Sequence, residues 1–231
     1  MITDIKAKID AIAAGGSGDM DYLRMTRIGQ LLTADWKYNL AKEGVAWSFH
    51  IGTLTTGADV GLITGGGAGT TIDSDEPEML IGVDAGYYLI PMECRVTCNV
   101  DMDADAEYGS IVLFADRTQA PPTSATGTPG VITGNNLLDG GSAFPGRAYG
   151  GVTTALTDPL MSELLDYEYL RVSDNGTAGS AAVERLKMMY DAQIPRLLAG
   201  PCEICMCYGG TAAVTGMASI VVAAVPTSWF S

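Results

Sequence analysis

The eleven residues MECRVTCNVDM, 92–102, constrain the fold more than any other part of the chain. Cys94, Val96, Cys98, Val100 and Met102 alternate with Glu93, Arg95, Thr97, Asn99 and Asp101. A strict period of two sorts these sets onto opposite faces of an extended strand, which a helix of period 3.6 cannot do. An antiparallel sheet with one such apolar face must bury it against a second layer. SIVLFAD (110–116) supplies a second strand, so 92–116 reads as a β-hairpin with an acidic tip. CEICMCYGG (202–210) and TAAVTGMASIVVAAVPTSWF (211–230) read as two more strands, joined at Gly209–Gly210.

Other segments read less cleanly. VAWSFHI (45–51) is aromatic and branched, as strands are, and the Gly/Thr-rich run that follows is no helix. Residues 117–151 show no period; connections that long in a compact domain serve function or an interface. DPLMSELLDYEYLRVS is expected to open as a short helix after Asp158–Pro159 and end as a strand, while AAVERLKMMYDAQIP fits either.

The first 44 residues follow a different rule. Ile2, Ile5, Ile9 and Ile12 recur at helical spacing, GGSGD breaks the pattern, and Asp19 stands ready to cap a second helix through about Lys42. The expected organisation is a helical N-terminal arm over 1–44 and a β-sandwich body over 45–231. The isoleucine stripe of so short a helix must dock on something. An arm laid on a partner and an ordinary helical subdomain both satisfy that need.

Charge narrows the partners. Residues 1–45 carry six acids and six bases, so the net −14 lies wholly beyond them, with 21 acids against seven bases. Affinity for nucleic acid comes mainly from Lys and Arg neutralising phosphate, so direct nucleic-acid binding is not expected. No apolar run reaches the roughly 18 residues of a membrane span. Asp4, Lys6, Lys8 and Asp10 break the basic-then-apolar order of a signal peptide, which points to a cytosolic origin.

Each candidate for chemistry has a plain competitor. In CEICMCY, Cys202, Ile204, Met206 and Tyr208 share one strand face, with Glu203, Cys205 and Cys207 on the other. A structural zinc site needs paired ligands on turns, whereas residues three apart in a strand face opposite sides. The five cysteines are therefore expected to pack as small apolar residues; a metal or an unusual disulfide is the alternative. Asp101, Asp103 and Asp105 begin like a calcium loop, but Ala106 and Val112 occupy the positions of its required Gly and Glu. A solvated hairpin end and a calcium ion shared between subunits are the readings left. GGGAGTT (65–71) has no following Lys and is no phosphate loop. His50, the single histidine, lies in a strand without a Gly-x-Ser-x-Gly elbow elsewhere, and reads as packed or edge-strand. No cofactor and no catalytic residue is indicated.

The strand stretches GYYLIPMECRVTCNV, GSIVLFAD, LLAGPCEICMCYGG and ASIVVAAVP, in that order, resemble those of single jelly-roll virion structural proteins, the capsid or capsid-decorating subunits of bacteriophages and related viruses. The resemblance implies a mainly β, antiparallel, jelly-roll-like sandwich with an N-terminal helical arm. It also implies a non-enzymatic, homo-oligomeric subunit, with a trimer favoured, that contacts neighbouring shell proteins and is assembled into a virion in the host cytoplasm. Ile2, Ile5, Ile9, Ile12, Trp229 and Phe230 are the expected contact residues. The alternatives are a jelly-roll binding module, as at a receptor- or carbohydrate-binding tip, and then a hydrolase working through two carboxylates.

Overall fold

A computed structural model of the chain describes residues 24–25, 31–32, 36–52, 72, 74, 76–102, 108–125, 127–152, 159–171, 182–210 and 213–230. The alternating stretch lies in the longest strand, β5 (Tyr87–Met102). Cys94, Val96 and Cys98 are buried and Arg95 and Thr97 exposed, as the period of two requires. Before it come the short pair β1 (Arg24–Met25) and β2 (Leu31–Leu32), the helix α1 (Trp36–Lys42), β3 (Ala46–Ile51) and β4 (Met79–Val83). After it come β6 (Tyr108–Asp116), β7 (Gly127–Val131), β8 (Asn135–Asn136), β9 (Arg147–Val152) and β10 (Glu163–Arg171). The chain closes with β11 (Ala182–Asp191), β12 (Leu198–Ala199), β13 (Cys202–Gly210), β14 (Ala213–Pro226) and a 3-10 turn at Thr227–Phe230.

Eight of these strands form nested antiparallel pairs: β3 with β14, β4 with β13, β5 with β11 and β6 with β10. Two further pairings, β5 with β14 and β6 with β13, fold this ribbon over on itself. The result is two facing sheets, β11-β5-β14-β3-β8 and β10-β6-β13-β4-β9-β7. A double-wound ribbon of this kind is the jelly-roll form of the β-sandwich. The segment between β6 and β10 is an insertion that adds β9 and β7 beside β4 and β8 beside β3.

Several sequence expectations need correction. Residues 92–116 are no hairpin: β5 and β6 lie in opposite sheets, because each finds its partner in a distant strand and not in its chain neighbour. For the same reason β13 and β14 are consecutive but unpaired with each other. Strands form over 163–171 and 182–191, and Pro159–Ser162 is not helical, since Leu165 and Leu170 are drawn to the core at an extended spacing. Within 117–151 lie three strands, not an unbroken loop. Of the second helix expected through Lys42, the described residues show α1, while residues 24–25 and 31–32 pair as strands. The first helix, with Ile2, Ile5, Ile9 and Ile12, lies outside the described residues, as does GGGAGTT.

Three apolar layers hold the body. Between the sheets, Cys94, Val96 and Cys98 meet the inward face of β13 (Cys202, Ile204, Met206, Tyr208). On the outer face of the second sheet, Leu80, Val112, Phe114, Tyr149, Cys205 and Cys207 form another cluster, with Ile72 and Ala125 packed against it. β13 is therefore buried on both sides along its whole length. On the outer face of the first sheet, Trp36, Leu40 and Ala41 of α1 cover Ala46, Ile90, Met92, Ala223 and Val225. The helix stops at Gly44, whose φ of +70° suits glycine, and Val45 N–H donates to the Leu40 carbonyl at 3.2 Å.

Candidate interaction surface

The two long flanks of the sandwich are built differently. On one, the insertion supplies the edge strands, and both are poor templates for pairing: β8 has two residues, and β7 (GTPGV) contains Pro129, which lacks an N–H. The insertion is pinned by Asn136, whose Nδ2 donates to the Gly44 carbonyl at 2.8 Å, and by Phe144, which meets the Trp47 and Phe49 rings edge-on at 5.4 and 5.0 Å. On the opposite flank β10 and β11 are the edges, nine and ten residues long and free of proline. Asp166 and Glu168 sit on β10, so a second β10 laid directly against it meets like charge.

What this flank leaves open is a row of apolar side chains. On β10, Leu164, Tyr167 and Tyr169 stand opposite Phe114, Val112 and Ser110, on the outer face of their sheet. Tyr167 is 64% exposed and Tyr169 52%. Leu160 and Met161 extend the row towards the strand's start, and Met189, Ile194 and Leu197 lie exposed along the neighbouring edge. Eight of the thirteen exposed large hydrophobics among the described residues thus fall within 160–197. Scattered exposed apolar residues are ordinary; here Leu164, Tyr167 and Tyr169 share the outer face of one sheet, while Met189 lies opposite the exposed Arg95 on the other sheet.

Acids gather at one end of the same sheet, out of reach of solvent. Asp116 ends β6 and is directly opposite Glu203 of β13; both are fully buried. Asp116 Oδ1 accepts from the Thr118 N–H and hydroxyl, each at 2.7 Å, and Oδ2 from the Leu160 N–H at 2.6 Å. Burial alone would push the Asp116 carboxyl up, but these donors together hold it below the ordinary carboxylate range. Glu203 has no such help: neither carboxylate oxygen has a hydrogen-bond partner. Burial first, and the Asp116 charge second, push it up to about 8. Outside this pair, Glu163 binds both Arg117, through Nε at 2.9 Å, and Arg196. Burial works to raise Glu163, but the two guanidiniums hold it below its usual value. Two carboxyls, Asp116 and Glu203, thus share one buried site.

All five cysteines are free and buried. Burial, with nearby acids adding, pushes Cys94 and Cys98 up to about 12; burial does the same to Cys202 and lifts Cys205 well above its usual range. Thiols held protonated and out of water do not act as nucleophiles. Ellman's reagent at about pH 8 is therefore expected to find fewer than one fast-reacting thiol per native chain, and all five after unfolding in guanidinium. A rapid native reaction at two or more sites would contradict this placement.

The remaining sequence candidates are dispersed. His50 is exposed on β3, on the far sheet from the acid pair. Asp101 is the penultimate residue of β5, nothing of its side chain is described, and Asp103 and Asp105 lie outside the described residues. Trp229 is exposed on the terminal 3-10 turn, while the Phe230 side chain is not described. Among the described residues no three His, Cys, Asp or Glu side chains are grouped to hold a metal ion, and no helix is long and apolar enough to cross a membrane. The β10 row went unread in the sequence because Leu164, Tyr167 and Tyr169 straddle a bulge between Leu164 and Asp166 that breaks their period. No protein-family profile and no curated protein sequence matches the chain.

Proposed function

We propose that the chain is a virion structural protein, a capsid or capsid-decorating subunit that works by self-assembly and by contact with neighbouring shell proteins, and that it catalyses no reaction. The observation that carries this reading is the apolar row on β10, left open on a flank whose opposite number is shielded by an insertion. An exposed row of Leu, Tyr and Met on an acidic, self-repelling molecule is costly to keep unless something covers it. Many identical copies supply that cover, and repetition turns individually weak contacts into a durable assembly. The stretches on which the virion resemblance rests lie in strands of a two-sheet antiparallel sandwich, which is compatible with that reading. On this reading a trimer is the expected unit, assembly takes place in the host cytoplasm, and Ile2, Ile5, Ile9, Ile12, Trp229 and Phe230 add contacts beyond the β10 row.

Light scattering and negative-stain microscopy of the purified protein test it. Rings, shells or discrete oligomers are expected, and a strictly monomeric protein at high concentration overturns the reading. Tyr167→Asp combined with Leu164→Asp should weaken association at least about tenfold, since burying either charge unpaired costs more than 1.4 kcal/mol, with little change in melting temperature. Particles of unaltered size from the folded double variant would remove the β10 row from the interface. A second reading, a jelly-roll binding module, has the two exposed tyrosines in its favour, because neighbouring aromatic rings suit a sugar face. Glycan binding by a protein that stays monomeric would decide for it.

A further inference from the structure

The outer face of the sheet containing β4, β13 and β6 is roofed by a strap, residues 117–125, that leaves the end of β6 and runs back across it. Three contacts close the strap. Asp116 grips Thr118 at its start and Leu160 ahead of β10. Tyr149 of β9 donates its hydroxyl to the Pro122 carbonyl at 2.8 Å. Pro121 lies so close over Gly82 that a Cβ there would come within 2.8 Å of its ring. Beneath are Leu80, Phe114, Cys205 and Cys207, with Ala125 of the strap packed against them.

Glu203 sits under the strap's first turn, opposite Gly82 on one side and Asp116 on the other. Most charged and titratable groups of the surrounding elements are committed elsewhere or buried, while Arg147 of β9, opposite Gly82, keeps a buried Nε without a partner. Asp116 of β6 accepts from the Thr118 N–H and hydroxyl and from the Leu160 and Gln119 N–H groups. Arg117 of the strap is held by Glu163 of β10, and Arg147 of β9 by Asp84 beyond β4. Cys202 and Cys205, the flanking thiols on β13, are buried. No donor among the described residues reaches Glu203, so only a proton keeps its carboxyl neutral in this position.

We propose that Glu203 is a proton-operated latch: with its proton in place the strap stays closed, and as the proton leaves the strap opens and bares the apolar sheet face beneath it. The physical drive is the pairing of two negative charges on adjacent strands in a water-free site, relieved when the strap lifts and water reaches Glu203. This device belongs to a single subunit and does not depend on the assembly reading.

Linkage fixes the form of the response. In the open strap Glu203 meets water and ionises as an ordinary carboxyl, near 4.3; in the closed strap it ionises only at about 8. Between these values one proton leaves on opening, so the open fraction rises up to about tenfold per pH unit. Above the upper value both states are ionised and the rise stops.

Hydrogen exchange of the full chain, read by mass spectrometry on peptides covering 117–125 and β13, tests the latch at about pH 6, 7, 8 and 9. Comparing wild type with Glu203→Gln at each pH cancels the intrinsic exchange rate. The expected ratio of opening, wild type over variant, climbs up to about tenfold per unit as far as about pH 8 and then levels. A ratio constant across the series overturns the proposal. Should Glu203→Gln fail to fold, the wild type decides alone: strap peptides must speed up relative to β5 peptides as pH rises, and parallel behaviour of the two overturns it.

Discussion

Unfolding measured across a pH series is expected to show stability falling as pH rises from about 4.5 to about 8, by up to about 1.4 kcal/mol per unit, and levelling above. The sign follows from Glu203. Its folded carboxyl holds a proton that the unfolded chain has already released, so the native state binds more protons throughout that window and rising pH favours unfolding. Glu203→Gln removes the titration while keeping the shape, and should be more stable than wild type at pH 7 by about 3 kcal/mol, with the difference vanishing towards pH 4.5. Asp116 and Glu163 act in the opposite sense. Their carboxyls lie below the ordinary range, so the stability they contribute is present above the unfolded value and is lost as pH falls through the folded one. The two slopes place the stability maximum on the acid side of neutral. A wild type whose stability is flat from pH 5 to 8 would show that Glu203 is ionised and solvated, contrary to its burial.

Phe49→Ala is expected to cost about 3–5 kcal/mol, or roughly 10 °C or more in melting temperature, the largest loss from any single truncation of the β3 strand apart from Trp47. Phe49 is fully packed on the inward face of β3, with the Phe144 ring against it and Gly134 so close that a Cβ there would lie 2.5 Å from the Phe49 ring. A cleft of about 230 Å³, bordered by Phe49, Ile132, Phe144 and Tyr149, already lies alongside. Removing the ring joins a new void to that cleft, and collapse cannot fill it without moving the insertion. Exchange protection over 127–152 should fall more than protection in β5 or β13. Phe49→Leu, which leaves most of the volume, should lose less than half as much. An alanine variant that unfolds at the wild-type denaturant midpoint would mean that the insertion is not anchored through this ring.

The fold was legible where one face of a strand is wet and the other dry. β5 is such a strand, and its alternation marks both its form and its inward residues. β13 was legible as a strand, and its thiols as core, yet its two-sided burial was not, because Glu203, Cys205 and Cys207 read as an outer face. Little that is local says that a strap will cover that face; beyond the Asp116–Thr118 turn at its start, the strap's contacts come from Tyr149 and Gly82, distant in sequence. Strand pairing was misread for a related reason. Consecutive strands joined by short links usually pair, but in a jelly roll the partner comes from the far end of the ribbon, and 92–116 contains no sign of residues 163–171. The helix expected after Pro159 failed because Leu164, Leu165 and Leu170 divide between two sheet faces around a bulge. The acid pair was out of reach for the same cause: Asp116 and Glu203 are 87 positions apart and become neighbours only when β6 and β13 align.

The register of β3 on β14 has a practical corollary. Ala46, which opens the body, lies beside Ala223, close to where its last strand ends, so the backbone enters and leaves the sandwich at one pole. Whatever is joined before β3 or after β14, by nature or by fusion, is tethered at that pole. The opposite pole, where β5 gives way to β6 and β13 to β14, faces away from any such attachment. A foreign epitope spliced between Gly210 and Ala213 would therefore be displayed on the side remote from both tethers, with one end of the slab serving as its mount and the other as its face.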